Sequence, residues 1–337
     1  MTAIDDPGAT PKVSIVVPML DERDHIVACL DGFAGQSYPL DRLEVLVIDG
    51  GSRDGSRQIV ERMAEVHDWI RVIENPARKA SAAFNLGVEA AKGDVVCLFS
   101  AHGVPHEDFV RRSVDALMGD DVAGVGGQYH HVGTDPVSNA IGLAMVSPFG
   151  MASPHRFATQ RKDVDTISHP AYRRRALVDI GPFDETLQRN SDYELNWRLR
   201  AAGERLLFDP SIESVYRPRS SLRALGRQFW WYGRWKVRVL ERHPASLRAR
   251  HLVAPAATLA AVLAPLGLMG RRTRPFVVAG AAAYAAVVAV AVRRARPRSH
   301  DASPVVLAAC FPVMHGCWGA GFLVSAAQDA WQGGRRD

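Results

Sequence analysis

Acidic residues nearly vanish from the last third of this chain. From Arg219 to Asp337 it carries 18 Lys and Arg but only 4 Asp and Glu, whereas residues 1–218 hold 23 basic and 32 acidic residues. A net charge of −9 followed by one of +14 is hidden inside the overall +5. Such a split implies two environments: an acidic soluble domain, and a basic part facing phosphate-rich lipid head groups or nucleic acid. Cysteine is scarce too. Cys29, Cys97, Cys310 and Cys317 form no CxxC pair, so they read as reduced, buried thiols. Residues 1–12 lack the apolar core of a secretory signal and carry Asp5 and Asp6. They are expected to be disordered, with the domain that follows in the cytosol.

Charge is also missing from three late stretches, 252–270, 275–292 and 303–327, each long enough to span roughly 30 Å of hydrocarbon. Pro255 and Pro265 predict a kinked or re-entrant first stretch, and the third contains His315. These interleaved apolar stretches speak against nucleic-acid binding. A cytosolic N-terminal domain puts Arg293, Arg294, Arg296 and Arg298 inside, as the positive-inside tendency prefers, but Arg271, Arg272 and Arg274 outside. Before these spans, residues 219–250 combine arginines with Phe229, Trp230, Trp231 and Trp235, as in a basic amphipathic helix lying in a membrane interface; a core helix with solvated arginines is the alternative.

Residues 13–128 alternate apolar runs with helical stretches. Strands are expected at 13–17, 43–48, 70–73, 94–99 and 122–127, and helices at 24–34, 56–67, 80–91 and 107–118. That alternation predicts an α/β fold with a mainly parallel central sheet covered by helices. Residues 129–190 read as an irregular acceptor-side region that includes the basic run Tyr172-Arg-Arg-Arg175, followed by a helix at 192–202 and a short strand at 205–208. The most informative segment is Val45-Leu-Val-Ile-Asp-Gly-Gly-Ser-Arg-Asp-Gly-Ser56. It runs from a buried strand into Asp49 at the carboxyl edge of the sheet, where open α/β folds bind ligands. Gly51 lets the backbone approach such a ligand, and Asp54 either contacts it or caps the next helix.

Together with Val13-Ser-Ile-Val-Val-Pro-Met-Leu-Asp-Glu22, that segment resembles the family 2 glycosyltransferases of the GT-A fold. Arg78-Lys-Ala-Ser-Ala-Ala-Phe-Asn-Leu-Gly87, Lys92-Gly-Asp-Val-Val-Cys-Leu-Phe-Ser-Ala-His102, Gly181-Pro-Phe-Asp-Glu185 and Arg189-Asn-Ser-Asp-Tyr-Glu-Leu-Asn-Trp-Arg-Leu199 continue the resemblance in order. The form of the last motif and the C-terminal spans are most similar to the ExoA-type enzymes of succinoglycan assembly. The resemblance implies a Rossmann-like nucleotide-sugar-binding domain over 13–218 and a helical transmembrane region over 251–330.

It further implies that Pro18, Glu22, Asp49, Gly51, Asp54, Arg78, Asn85, Ser100 and Ala101 bind the nucleotide sugar, with a UDP-sugar the expected donor. Arg78 or Lys79 would assist the leaving diphosphate. Asp192, opening a helix, is the family-matched base for the acceptor hydroxyl, as a single carboxylate suffices for inverting, in-line displacement. Glu194 and Arg198, four residues apart, belong to the acceptor side, where Glu194 orients Arg198. Ser100-Ala-His102 departs from the Asp-x-Asp of most relatives. It leaves His102 as the metal ligand, better suited to Mn²⁺ than to Mg²⁺, or as a polar loop residue that binds no metal. Arg227, Arg234 and Trp235 would meet the acceptor's phosphates. Gln228 and Arg234-Trp235 match the Gln-x-x-Arg-Trp motif of processive synthases in composition but not in spacing, which speaks against a polymer-extruding synthase.

Three functions remain open at this point. The first is a membrane-anchored inverting transferase moving a hexose to a lipid-linked saccharide in cell-surface polysaccharide assembly, with other assembly proteins as partners. The second is a polyprenyl-phosphate sugar synthase. The third is a silent nucleotide-sugar-binding scaffold in the cytoplasmic membrane.

Overall fold

The computed structural model describes residues 9–150, 158–295 and 301–333, with side chains to residue 329. The chain divides into two compact units, Met1–His130 with His155–Tyr216 and His131–Pro154 with Arg217–Asp337. Within the stretch expected to be disordered, Pro11 is buried and its carbonyl accepts a 2.6 Å hydrogen bond from the Tyr38 hydroxyl. Residues 1–8 of that stretch lie outside the described residues, as do Arg296 and Arg298.

Among the described residues, the first unit is built on a nine-stranded sheet. Strands β1 (Val13–Met19), β2 (Leu43–Asp49), β3 (Ile70–Glu74) and β4 (Val95–Leu98) are parallel, in the order β3-β2-β1-β4. Their apolar runs follow from burial on both faces. Val13, Ile15, Val17, Val45, Val47 and Cys97 face one core, with residues of α1 (Ile26–Ala34), α2 (Ser56–Val66) and α4 (Phe109–Gly119). Val16, Leu46, Ile48, Val96 and Leu98 face a second core, completed by α3 (Ala80–Ala90), α6 (Arg174–Ile180) and α7 (Ser191–Ala201). Gly87 lets α3 lie directly on β1, because a methyl group there would run into the Val16 side chain.

The other half of the sheet is antiparallel. β8 (Ala171–Arg173) pairs with β4 and with β6 (Gly124–His131); β9 (Leu206–Tyr216) adjoins β6 and pairs with β5 (Gly103–Pro105) and β7 (Lys162–Asp163). The strand expected at 205–208 therefore extends to Tyr216. Pro210 hides its continuation from a sequence reading, since proline cannot donate to a ladder. β9 changes partner across Pro210, from β7 at Leu207 and Phe208 to β5 at Ser214–Tyr216.

The region expected to be irregular contains α5 (Pro136–Met145), β8 and α6, with irregular stretches between them. Arg173, from its basic run, is buried: Nε donates to the Val122 carbonyl at 3.0 Å and Nη2 to the Leu117 carbonyl. It satisfies carbonyls at the end of α4, which a helix leaves unpaired.

The second unit is helical. The Asp135 carboxylate and Ser138 form a capping box that starts α5, and α5 packs on α11 (Pro304–Gly333). The helix α8 (Leu222–Arg242) also packs on α11, with Leu225, Phe229, Val237 and Val239 buried and Gly233 and Gly321 allowing the two backbones to approach closely. The apolar face expected to meet a membrane interface is thus largely covered by protein, while Arg227 and Trp231 stay exposed. α9 (Arg250–Met269), α10 (Arg274–Ala295) and α11 are long and apolar enough to cross a membrane. α9 is continuous through Pro255 and Pro265. α9 and α10 expose Leu266, Met269 and Phe276, an apolar surface of the kind that marks membrane or protein contacts. His315 of α11 is engaged at both nitrogens, Nδ1 with the Tyr284 hydroxyl at 3.0 Å and Nε2 with the Phe149 carbonyl at 2.9 Å.

Candidate active site at the carboxyl edge of the sheet

Parallel order brings the carboxyl ends of β1 to β4 to one edge, and with them the loops that hold Glu22, Asp49 to Asp54, Arg78 and Ser100 to His102. Pro18 sits in β1 beside Ile48, in register with the end of β2. The Asp49 carboxylate is fully buried. Oδ1 accepts hydrogen bonds from the Ser52 hydroxyl at 2.6 Å and its amide at 3.1 Å, and Arg57 lies 3.7 Å from Oδ2. The same Ser52 hydroxyl accepts the Asp21 amide, and the Asp21 carboxylate accepts the Arg53 amide. Asp49 therefore organises both loops. Ser52, Arg57 and Asp21 escaped the sequence reading because they are ordinary loop residues until the loops meet.

Asp54 completes this lock. Its carboxylate accepts the Ser56 amide and hydroxyl and the Arg23 amide, and the N-cap position itself is Gly55, at φ +95°. Burial pulls this carboxyl upward, but those hydrogen bonds hold it below the usual range. Gly51 adopts φ +79°, and a β-carbon there would come within 3.4 Å of Arg78 Nη1. Arg78 itself is exposed and, among the described residues, has no ion-pair partner. Its charge is available to a diphosphate; Lys79 is committed to the Glu185 carbonyl.

Asn85 is engaged by protein partners. Its amide nitrogen donates to the Phe183 carbonyl and the Glu185 carboxylate, and its oxygen accepts the Phe183 amide. It clamps the 181–187 loop onto α3. That loop leads to α7, which Asn190 opens at φ +63°. In α7, Glu194 is buried and pairs with Arg198 at 2.8 Å, as the i,i+4 spacing foretold. Arg198 also donates to the carbonyls of Ile180 and Pro182, so this pair braces the loop. Asn196 accepts from the Tyr172 hydroxyl at 2.6 Å and donates to Thr166 at 3.0 Å. Asp192, in the first turn, stays exposed, and the helix N-terminus favours its ionised form. Burial pushes the Tyr172 phenol well up, and the Asp192 charge raises it further.

After β4, the Ser100 carbonyl accepts the Gly103 amide in a tight turn around buried Ala101. The turn presents His102, whose Nδ1 lies 3.1 Å from Glu22 Oε1 and whose ring meets that of Tyr216 edge-on at 5.1 Å. Nε2 of His102 has no hydrogen-bond partner among the described residues. This donor set fits a borderline cation at His102. A second group, His106, Glu107 and Asp108, has ligand atoms within 4.8 Å of one another. It fits a cation poorly, because the Asp108 oxygens are held by Ser37 at 2.7 Å and by Arg112 at 3.0 Å.

The residues of the second unit expected on the acceptor side lie on α8. Arg227 is exposed, Arg234 donates to Gln328 at 2.9 Å and lies 5.5 Å over the Trp231 ring, and Trp235 is half-buried.

Residues 14–181 match the description Glycosyl transferase family 2. The chain is 31% identical over 315 residues to the succinoglycan biosynthesis protein ExoA of Rhizobium meliloti, covering 91% of this chain and 93% of that one. It is 27% identical over 229 residues to the dolichyl N-acetyl-alpha-D-glucosaminyl phosphate 3-beta-D-2,3-diacetamido-2,3-dideoxy-beta-D-glucuronosyltransferase of Methanococcus voltae, covering 66% of this chain and 71% of that one. Among solved structures, the mannosyltransferase PcManGT from Pyrobaculum calidifontis in complex with GDP-Man and Mn²⁺ is similar in fold, at TM-score 0.61 and 21% identity, covering 90% of this chain and 87% of that one. A parallel sheet edge lined with these motifs, in a chain alike over its length to such relatives, belongs to glycosyl transferase family 2: the protein is a glycosyltransferase of the GT-A fold.

Proposed function

We propose that this glycosyltransferase is anchored in the cytoplasmic membrane with its catalytic unit in the cytosol. It moves a hexose, with inversion, from a UDP-sugar to a lipid-linked saccharide during cell-surface polysaccharide assembly. One observation carries the catalytic part: in α7 the side chains of Glu194, Asn196 and Arg198 are committed to holding the helix, and Asp192 is the exposed acid. Its carboxylate takes the proton of the acceptor hydroxyl as that oxygen bonds to the anomeric carbon and the bond to the diphosphate breaks. Arg78 Nη1 would lie 3.4 Å from a β-carbon on Gly51, and its charge balances that on the departing diphosphate. His102 would hold a divalent ion, which supplies further charge neutralisation on the diphosphate. The Asp49–Ser52 turn supports the nucleoside. The relatives' names, which involve succinoglycan and a dolichyl phosphate sugar, and the three apolar helices favour a lipid-linked acceptor and a membrane anchor. The basic stretch of α8, with exposed Arg227, suits anionic head groups.

The test is a donor screen on membranes containing the protein, with UDP- and GDP-sugars, extracted polyprenyl-linked acceptors, and Mn²⁺ or Mg²⁺ varied. Asp192→Asn should abolish transfer while donor binding persists. Full transfer by that variant would move the acceptor to an already ionised lipid phosphate, which needs no base. Donor binding without transfer or hydrolysis by the unaltered protein would leave a scaffold role.

A further inference from the structure

We propose that Glu22 is a positioning residue for His102, and that the two together act as one anionic ligand for a divalent cation that prefers nitrogen. This rests on reading the sheet edge as a metal-assisted transfer site.

The hydrogen bond between His102 Nδ1 and Glu22 Oε1, at 3.1 Å, decides the tautomer. Against an ionised Glu22, which only accepts, a neutral His102 donates from Nδ1 and keeps its lone pair on Nε2. Nε2 is the nitrogen that no other described residue engages. The ring is also fixed from its side: Tyr216 meets it edge-on at 5.1 Å and 71°, and His25 at 6.5 Å and 66°. Both partners are only partly exposed, His102 at 25% and Glu22 at 21%, so the pair is shielded on one flank and open on the other.

The charge argument points the same way. A neutral imidazole offers a cation no formal charge. Backed by Glu22, the pair carries one negative charge, as a single carboxylate ligand would, and the carboxylate makes the imidazole a stronger donor. Nitrogen in that position favours Mn²⁺ over Mg²⁺. Glu22 follows β1 and His102 follows β4, and the two strands are neighbours in the sheet, so the pairing is a product of strand order. Loss of outer-shell carboxylates of this kind weakens metal binding by about 10- to 100-fold.

The experiment titrates Mn²⁺ into the full-length protein in detergent, with UDP and separately with GDP, counting free Mn²⁺ by electron paramagnetic resonance. Glu22→Gln, close to isosteric, should weaken Mn²⁺ binding about 10- to 100-fold, clearly more than it weakens nucleotide binding without metal. His102→Asp should let Mg²⁺ displace Mn²⁺ more readily. On that background, and on His102→Ala, Glu22→Gln should cost nothing further. Unchanged Mn²⁺ binding in Glu22→Gln would overturn the inference. So would an equal loss on the His102→Asp and His102→Ala backgrounds, or an equal loss of nucleotide binding without metal, which would make Glu22 a donor contact. Transfer assayed in parallel separates the two readings. Mn²⁺ coupling without any sugar transfer rejects the transferase reading alone, and transfer that persists in EDTA with no coupling rejects this inference alone.

Discussion

Asp192 is exposed in the first turn of α7. In the motif Asn190-Ser-Asp-Tyr-Glu-Leu-Asn-Trp-Arg, the side chains at 194, 196 and 198 are tied to the loop before the helix and to β8. Tyr172→Phe would leave the buried Asn196 oxygen without its donor and should cost about 1–3 kcal/mol, measured by chemical unfolding. The Tyr172 phenol is held well above its usual value by burial and by the Asp192 charge, so it stays neutral when folded. The stability this contributes is complete below the ordinary tyrosine pKa of about 10 and is lost as pH rises beyond it. Asp192→Asn should move Tyr172 ionisation to lower pH in an ultraviolet titration; an unmoved titration would place the two groups out of electrostatic reach. Asp54 behaves in the opposite sense. Its depressed carboxyl strengthens the loop lock above the usual carboxylate range, and that contribution is lost as pH falls through its folded value.

At the scale of elements, α3 works as a shelf with two edges. Gly87 sets it against β1, so Gly87→Ala should cost about 1–3 kcal/mol through overpacking. Asn85 holds the 181–187 loop, a role invisible in a motif reading because its partners lie about a hundred residues away. Asn85→Ala should therefore lower kcat while leaving donor KM unchanged. A raised KM with intact kcat would restore Asn85 to the nucleotide. The helices and strands of the parallel half were legible because their apolar runs and 3.6-residue faces are local signals. β9 and the region around α5 were not: Pro210 masks the first, and α5 is recognisable by its Asp135–Ser138 capping box only once its packing partner is known.

For the whole molecule, the charge split of the sequence corresponds to two structural units, an acidic α/β unit and a basic helical one with three span-length helices. If those helices anchor it, the protein should remain in the membrane fraction after an alkaline carbonate wash; release would reject the anchor. Cys29, Cys97 and Cys310 are buried and Cys317 is partly so, all as free thiols. Maleimide labelling of the folded protein should accordingly be slow, accelerating on denaturation.

The sequence by itself determined the parallel strands, the acids at their ends and the three apolar helices, because hydrophobic period, chain direction and run length are written locally. Tertiary structure alone decided which polar side chains are spent on architecture. Glu194, Asn85 and Asp54 are each engaged by partners that the fold brings to them. A polar group has a limited number of hydrogen bonds to give, and those made to distant loops are not available to a ligand.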